Sequence, residues 1–273
     1  IEAETLLSDN KTTCYRNKAQ YPVSFDRQLK IGFFAPRSHR VVDCENCILQ
    51  PPIFADIVKI FRKFIIKNGI TVYDSEKHTG LLRHIYLRLA EATGEVMVCA
   101  VINGEDLPHK NELIEKLTEI PSVKSIVLNI NRDRTNVILG KECVTVWGND
   151  CIYDVLCGVK VRLSPLSFYQ VNHDMAQQLY EKAAEYACLS GKETVLDMYC
   201  GTGTIGLSMA KKAKRIIGAE IVPEAVLDAK RNALENGIEN AEFICADAGE
   251  AAQELSSRGI KPDVVLLDPP RKG

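Results

Sequence analysis

The sequence predicts two domains: an α+β front over residues 1–160 and a doubly wound α/β back over residues 161–273. Three observations carry that expectation. Before residue 160, strand-like runs are separated by two amphipathic helical stretches. After it, short apolar strands without polar alternation alternate with helices, the pattern of a parallel sheet covered on both faces. A chain of 273 residues, 46% hydrophobic and 26% charged, has the length and apolar content for two ordinary domains.

In the front, Ala19, Tyr21 and Val23 alternate with polar neighbours, and Ile31-Gly32-Phe33-Phe34 follows a polar turn at 26–30, which reads as a β-hairpin. Pro51-Pro52 predicts a helix start, with Ile53, Ile57, Ile60, Phe61 and Phe64 at helical spacing and Gly69 as its end. Residues 81–89 and 96–102 read as strands about a turn at Gly94. Residues 108–118 read as a helix with Leu113, Ile114 and Leu117 inward. Residues 123–131 and 136–139 read as strands joined by a turn at Asn131-Arg132-Asp133-Arg134. In the back, helices are expected at 175–187, 205–213, 223–236 and 248–255. Strands are expected at 194–197, 215–220, 241–245 and 264–268.

Composition excludes intrinsic disorder and low-complexity character. No apolar run reaches the length of a membrane span and no basic-then-apolar segment opens the chain, so a cytoplasmic location is expected. Six of the ten cysteines (Cys99, Cys143, Cys151, Cys157, Cys188, Cys245) sit in apolar segments, which favours reduced thiols over a disulfide framework. The start at Ile1 and the stop after Asp268-Pro269-Pro270-Arg271 suggest trimming at both ends. Net charge is −2, but residues 11–40 carry seven basic residues and one acidic, whereas residues 161–273 carry thirteen basic and sixteen acidic. A basic front suits either a polyanion or a solvated face.

The first back strand runs into Asp197-Met198-Tyr199-Cys200-Gly201-Thr202-Gly203-Thr204-Ile205-Gly206. Gly201, Gly203 and Gly206 satisfy G-x-G-x-x-G, which lets backbone approach a ligand at a helix start; a tight structural turn has the same pattern. Asp197, Glu220 and Asp247 each stand at a strand's carboxyl end. Glu220 is placed to accept from two ribose hydroxyls, and Asp247 to meet an adenine amino group. Strand-end solvation or helix capping is the alternative for each. NAD and S-adenosylmethionine both use such a crevice. An acid beside the loop repels a diphosphate and suits ammonium and sulfonium groups. Two prolines after the last strand give a rigid lip without backbone donors.

The segment Ser164-Pro165-Leu166-Ser167-Phe168-Tyr169-Gln170-Val171-Asn172, the loop 197–206 and Leu267-Asp268-Pro269-Pro270-Arg271-Lys272-Gly273 together resemble the RNA (uracil-5) methyltransferases of the RumA/TrmA type. Tyr15-Arg16-Asn17-Lys18-Ala19-Gln20 and Gly80-Leu81-Leu82-Arg83-His84 resemble that family's central domain, closest to the branch acting on 23S ribosomal RNA. The resemblance implies a Rossmann-like S-adenosylmethionine-dependent methyltransferase domain, incomplete here, preceded by an α+β RNA-binding central domain. It implies that Gln170, Tyr199, Glu220 and Asp268 line the S-adenosylmethionine pocket, with Asp197, Gly201, Gly203 and Asp247 around them. It places Phe168 near RNA bases, with core packing as the alternative.

The chemistry implied is covalent: a cysteine thiolate adds to C6 of an extruded uracil, C5 takes the methyl group, and a base removes the C5 proton. In the family both groups lie beyond D-P-P-R, so no catalytic residue is expected in this chain; Cys200 is read as loop packing. Cys47 matches the fourth ligand of an iron–sulfur cluster whose other ligands lie upstream of Ile1, so a cluster is expected only in a longer protein. A site of Cys14, Cys44 and Cys47 is the minor alternative. RNA contacts are expected from Arg16 and Lys18, with Arg27, Lys30, Arg37 and Arg40 interleaved with Tyr15, Tyr21, Phe33 and Phe34. Arg83, His84 and Arg88 form a second candidate surface, although Arg83 and His84 face opposite ways on a strand. A monomer is expected. Rival readings are a tRNA uracil-C5 methyltransferase, an RNA-binding module with a vestigial methyltransferase fold, and an NAD-dependent dehydrogenase.

Overall fold

The computed structural model describes residues 5–269. The chain divides into two compact units. One is Asn10–Ile152 with Ser164–Leu166; the other is Tyr153–Leu163 and the chain from Ser167 onward, with the stretch ending at Asp9.

In the first unit, β1 (Lys18–Phe25) and β2 (Leu29–Phe34) make the expected hairpin, Val23 opposite Ile31. A short β3 (Val41–Asp43) extends it. The helix α1 (Pro52–Asn68) starts on a proline in its first turn and ends at Gly69, whose φ of 60° is the left-handed cap that glycine adopts freely. β4 (Leu82–Leu89) pairs antiparallel with both β1 and β5 (Val96–Ile102). The helix α2 (Lys110–Thr118) then carries the chain over, so that β6 (Val123–Ile130) lies parallel to β5. With β7 (Glu142–Gly148) the sheet has the order β3-β2-β1-β4-β5-β6-β7. The expected hairpins are therefore parts of one sheet. Its helix-facing side, with Ile31, Ile85, Leu87, Val98 and Ile126, packs on Phe54, Ile57, Phe61, Leu113 and Leu117.

The strand expected at residues 136–139 is a loop, and the pairing falls to β7 instead. Side chains take the place of a ladder there. Asn131 Nδ2 donates to the carbonyls of Val137 and Ile138, and Asn129 Nδ2 to those of Gly140 and Glu142. A buried amide needs acceptors, and the two buried asparagines find them in the carbonyls of this loop.

The second unit opens with the two-stranded β8 (Ile152–Leu156) and β9 (Val159–Leu163), neither read from the sequence. Residue 160 lies inside this hairpin. There follow α3 (His173–Ala187), β10 (Thr194–Met198), α4 (Thr204–Met209) with a 3-10 turn at Ala210–Lys212, β11 (Arg215–Glu220), α5 (Pro223–Glu235), β12 (Ala241–Cys245), α6 (Ala248–Ser257) and β13 (Val264–Leu267). The four last-named strands are parallel in the order β12-β11-β10-β13. Leu196, Met198, Ile217 and Ala219 pack with Ala251 and Leu255 of α6, whereas Val195 and Ile216 pack with Met209, Ala210 and Ala213. Neighbouring residues thus bury on opposite faces, which is why these strands lack polar alternation. No helix among the described residues is long and apolar enough to cross a membrane.

A polar stripe on α5 ties this unit together. Asp228, Asn232 and the capping Asn236 recur at four-residue spacing, on one face. Asn236 pairs with Lys160 in both directions: Lys160 N–H donates to Oδ1 at 2.8 Å and Nδ2 donates to the Lys160 carbonyl at 2.7 Å. Asn232, fully buried, accepts from Arg162 N–H at 2.9 Å and donates to the Thr202 carbonyl at 3.0 Å. One side chain therefore serves β9 and the glycine loop at once. Asn232→Leu keeps the size but takes this partner from two buried backbone groups, and is expected to destabilise the unit by about 2–4 kcal/mol in urea unfolding. An unchanged midpoint would show that the stripe carries little of the stability.

Candidate cofactor site

The site is built where β10 turns into α4. Asp197 shares a face with Val195 two residues earlier, so its carboxylate points toward the start of α4. It is 1% exposed and accepts the Gly206 N–H at 2.8 Å. The loop between them reverses direction through three left-handed residues, Tyr199 (φ 63°), Gly201 (φ 54°) and Gly203 (φ 80°). A Cβ on Gly203 would lie 2.9 Å from the Phe243 ring, whereas one on Gly201 meets nothing within 4 Å. Glycine at 203 therefore permits packing, and glycine at 201 leaves open space above the loop. Tyr199 holds its conformation without that freedom, and presents a ring that is 40% exposed.

Glu220, at the end of β11, faces the same loop. Its two oxygens accept from Gly201 N–H at 3.0 Å and Val222 N–H at 2.9 Å. Each retains a further lone pair. Tyr180 of α3, which sequence reading missed, gathers the remaining groups. Thr204 and Gln170 lie beside its hydroxyl. Burial, then Asp268 and Asp197, push its phenol up to about 12. On α3, Tyr180 is buried on the same face as His173 and Ala176, and nothing in its helical spacing marks it as a neighbour of acids.

Burial raises the Asp197 carboxyl to about 7; the Gly206 N–H works against this, and the nearby Asp268 and Glu220 add to it. Among the described residues, none of Asp197, Glu220 and Asp268 has a cationic side chain as partner. Beside Asp197 and Asp268 opens a cavity of ≈ 520 Å³, otherwise mostly apolar and lined also by Leu179, Tyr180, Ile205 and Leu267. Excess negative charge at the carboxyl ends of parallel strands, a loop without side-chain bulk and an apolar wall together suit a cationic, partly apolar ligand and disfavour a diphosphate. Asp247 is exposed and caps α6 in a reciprocal box with Glu250, so the capping alternative holds for one of its oxygens. Pro270 and Arg271, the rest of the lip, lie outside the described residues. Cys200 is 6% exposed; burial, with Asp197 and Glu220 nearby, pushes its thiol well up, the opposite of an activated nucleophile.

The other expected contacts divide. Phe168 is 66% exposed, which removes the core-packing alternative. Arg16 and Lys18 are half-buried at the start of β1. Lys18 stands opposite Arg88 in the strand register. Burial, then Arg88 and Arg16, bring its ammonium down to about 8. Arg83 does not fit an RNA contact: it is 3% exposed and donates to the carbonyls of Asn131, Asp133 and Thr135, which fixes the loop before β7. Tyr21 is buried, so of the interleaved aromatics it serves the core. Cys44 and Cys47 lie side by side, but among the described residues no three His, Cys, Asp or Glu side chains converge as a metal site, so Cys14, Cys44 and Cys47 do not form one.

Known proteins resemble this chain in sequence and in fold. Residues 189–269 match the family described as "Methyltransferase domain". Proteins named "Uncharacterized RNA methyltransferase" from Clostridium tetani and from Halalkalibacterium halodurans are each 46% identical over the whole chain, which covers 60% of either relative. The crystal structure of a Pyrococcus abyssi tRNA (uracil-54, C5)-methyltransferase in complex with S-adenosyl-L-homocysteine superposes with a TM-score of 0.80 at 29% identity, over 97% of this chain and 62% of that one. The chain is thus homologous along its whole length to RNA methyltransferases, spans about 60% of their length, and has the Rossmann-like methyltransferase fold.

The raised Asp197 carboxyl has a consequence for stability. Its folded value of about 7 lies above the ordinary 3.8, so between those pH values the folded unit holds a proton that the unfolded chain has released. Stability from this group falls as pH rises through that window and levels off above about 7. Asp197→Asn stays neutral and keeps an oxygen for Gly206. It is expected to be more stable than the parent by roughly 1–3 kcal/mol above pH 7 and to lose that advantage near pH 4, read from thermal unfolding across pH. A constant difference across pH would contradict the assignment.

Proposed function

We propose that this chain, related along its whole length to RNA methyltransferases, is the cofactor-binding and RNA-binding part of an S-adenosylmethionine-dependent RNA (uracil-5) methyltransferase. The observation that carries this reading is the cluster of Asp197, Glu220 and Asp268 around a glycine loop, with no cationic partner among the described residues. Glu220 would accept from the ribose hydroxyls with the lone pairs its two backbone contacts leave over. Asp197, Asp268 and Gln170 would surround the amino-acid and sulfur end, and Asp247 the adenine side. Tyr199 would cover the ligand with its exposed ring. Bound there, S-adenosylmethionine would supply an electrophilic methyl group on a positively charged sulfur. Gly201 and Gly203 would let the backbone pass close to it, and the apolar wall of α3 and β13 would keep water away.

Uridine C5 as the methyl acceptor is supported by the F-x-Q-V-N and D-P-P-R motifs and by the solved tRNA (uracil-54, C5)-methyltransferase of similar fold. The motifs at 15–20 and 80–84 favour large-subunit ribosomal RNA, with tRNA as the second substrate class. The thiolate and the base for the covalent step would come from outside residues 1–273. Cys47 would be one ligand of an iron–sulfur cluster only in a longer protein, since the donors beside it here do not make a set.

Glu220→Ala removes a charged acceptor pair and is expected to weaken S-adenosylhomocysteine binding by roughly tenfold or more in titration calorimetry. Unchanged affinity would remove Glu220 from the site.

A further inference from the structure

The family resemblance sets Phe168 near RNA bases; we propose that Asp228 and Asp154 are positioning residues that, through Ser167 and Tyr169, hold its ring outward for an unpaired nucleobase. The inference rests on the RNA reading above and deepens it. Exposure alternates along this segment, with Ser167 at 8%, Phe168 at 66% and Tyr169 at 4%. Such alternation belongs to a strand, yet the segment joins no sheet. Its shape is set by side chains instead. Ser167 Oγ donates to Asp228 Oδ2 at 3.0 Å, and Tyr169 OH donates to Asp154 Oδ2 at 3.0 Å.

Both carboxylates are themselves anchored. Asp228 on α5 is 7% exposed and is held by Arg162 at 3.3 Å and Arg231 at 3.7 Å. Asp154 on β8 is fully buried; its other oxygen accepts the Val155 N–H at 2.9 Å, and His173 Nε2 stands 3.9 Å from Oδ2. The residues on either side of Phe168 are therefore pinned to two different elements, and the ring between them can only face outward. A ring fixed in place loses little conformational freedom on contact, which is what a flat apolar ligand such as an unstacked base requires. Asp228 also lies one helical turn from Asn232, which holds the glycine loop, so the platform and the cofactor loop share one support.

The test is the affinity of the chain for a short uridine-containing single-stranded RNA, read by fluorescence anisotropy. Ser167→Ala and Tyr169→Phe each remove one pin and little volume. Each is expected to weaken binding roughly three- to tenfold, the scale of one buried hydrogen bond, and Ser167→Thr to restore it. Phe168→Ala is expected to weaken binding at least as much, and adding Ser167→Ala to it to cost less than about twofold more, because the pin has nothing left to present. A merely structural role would instead lower the affinity of both backgrounds alike. Independent losses in the double variant, or parental binding by Ser167→Ala and Tyr169→Phe, would overturn the proposal. So would parental binding by Phe168→Ala, which leaves the RNA reading standing. A parent chain that binds no RNA would overturn that reading and this inference with it.

Discussion

The carboxylate of Asp197 accepting the Gly206 N–H is the contact around which the second unit is arranged. A carboxyl group with 1% exposure is costly unless it is bonded, and the bond it makes fixes the turn from the central strand β10 into α4. That turn in turn dictates glycine at the positions around it. A Cβ on Gly206 would lie 3.0 Å from the carboxylate, and one on Gly218, opposite Asp197 on β11, would meet Phe243 at 2.5 Å. With Glu220 and Asp268 added at neighbouring strand ends, the fold concentrates negative charge where it opens. A domain optimised only for stability would place a cation or an amide there. The surplus is intelligible if a positively charged ligand completes it.

The supports behind the site are neutral or balanced, in contrast to the site itself. Asn232 links β9 and the glycine loop through two hydrogen bonds, and Asp228 is matched by Arg162. In the first unit, Arg83, Asn129 of β6 and Asn131 just after that strand do similar work, donating to the carbonyls of the loop before β7. In both units, irregular segments are held by buried polar side chains rather than by ladders, so removal of one such side chain uncovers several backbone groups at once.

Much of this was legible in the sequence because period and punctuation are local. The strands of the second sheet, the proline-started α1 and the glycine loop follow from apolar runs and breakers within a few residues. The acids at strand ends were legible too, since a parallel sheet brings those ends to one edge. What stayed hidden depends on distant partners. The run 136–139 has the composition of a strand, and only the donors Asn129 and Asn131 make it a loop. Arg83 carries the charge of an RNA contact, but three carbonyls some fifty residues on claim it. Tyr180 and Asp228 read as ordinary helix residues until α3 and α5 are laid on the sheet. Phe168 is the converse case: its exposure follows from what its two neighbours bond to, and no local pattern states that.

The most direct measurement is titration calorimetry of the chain with S-adenosylmethionine, S-adenosylhomocysteine and NAD in parallel, followed by a structure of the tightest complex. Binding of the two adenosyl ligands with the ribose on Glu220, and no binding of the dinucleotide, is the expected result. A dinucleotide seated on the glycine loop, or a chain indifferent to all three, would contradict the assignment of this edge of the sheet to a sulfonium cofactor.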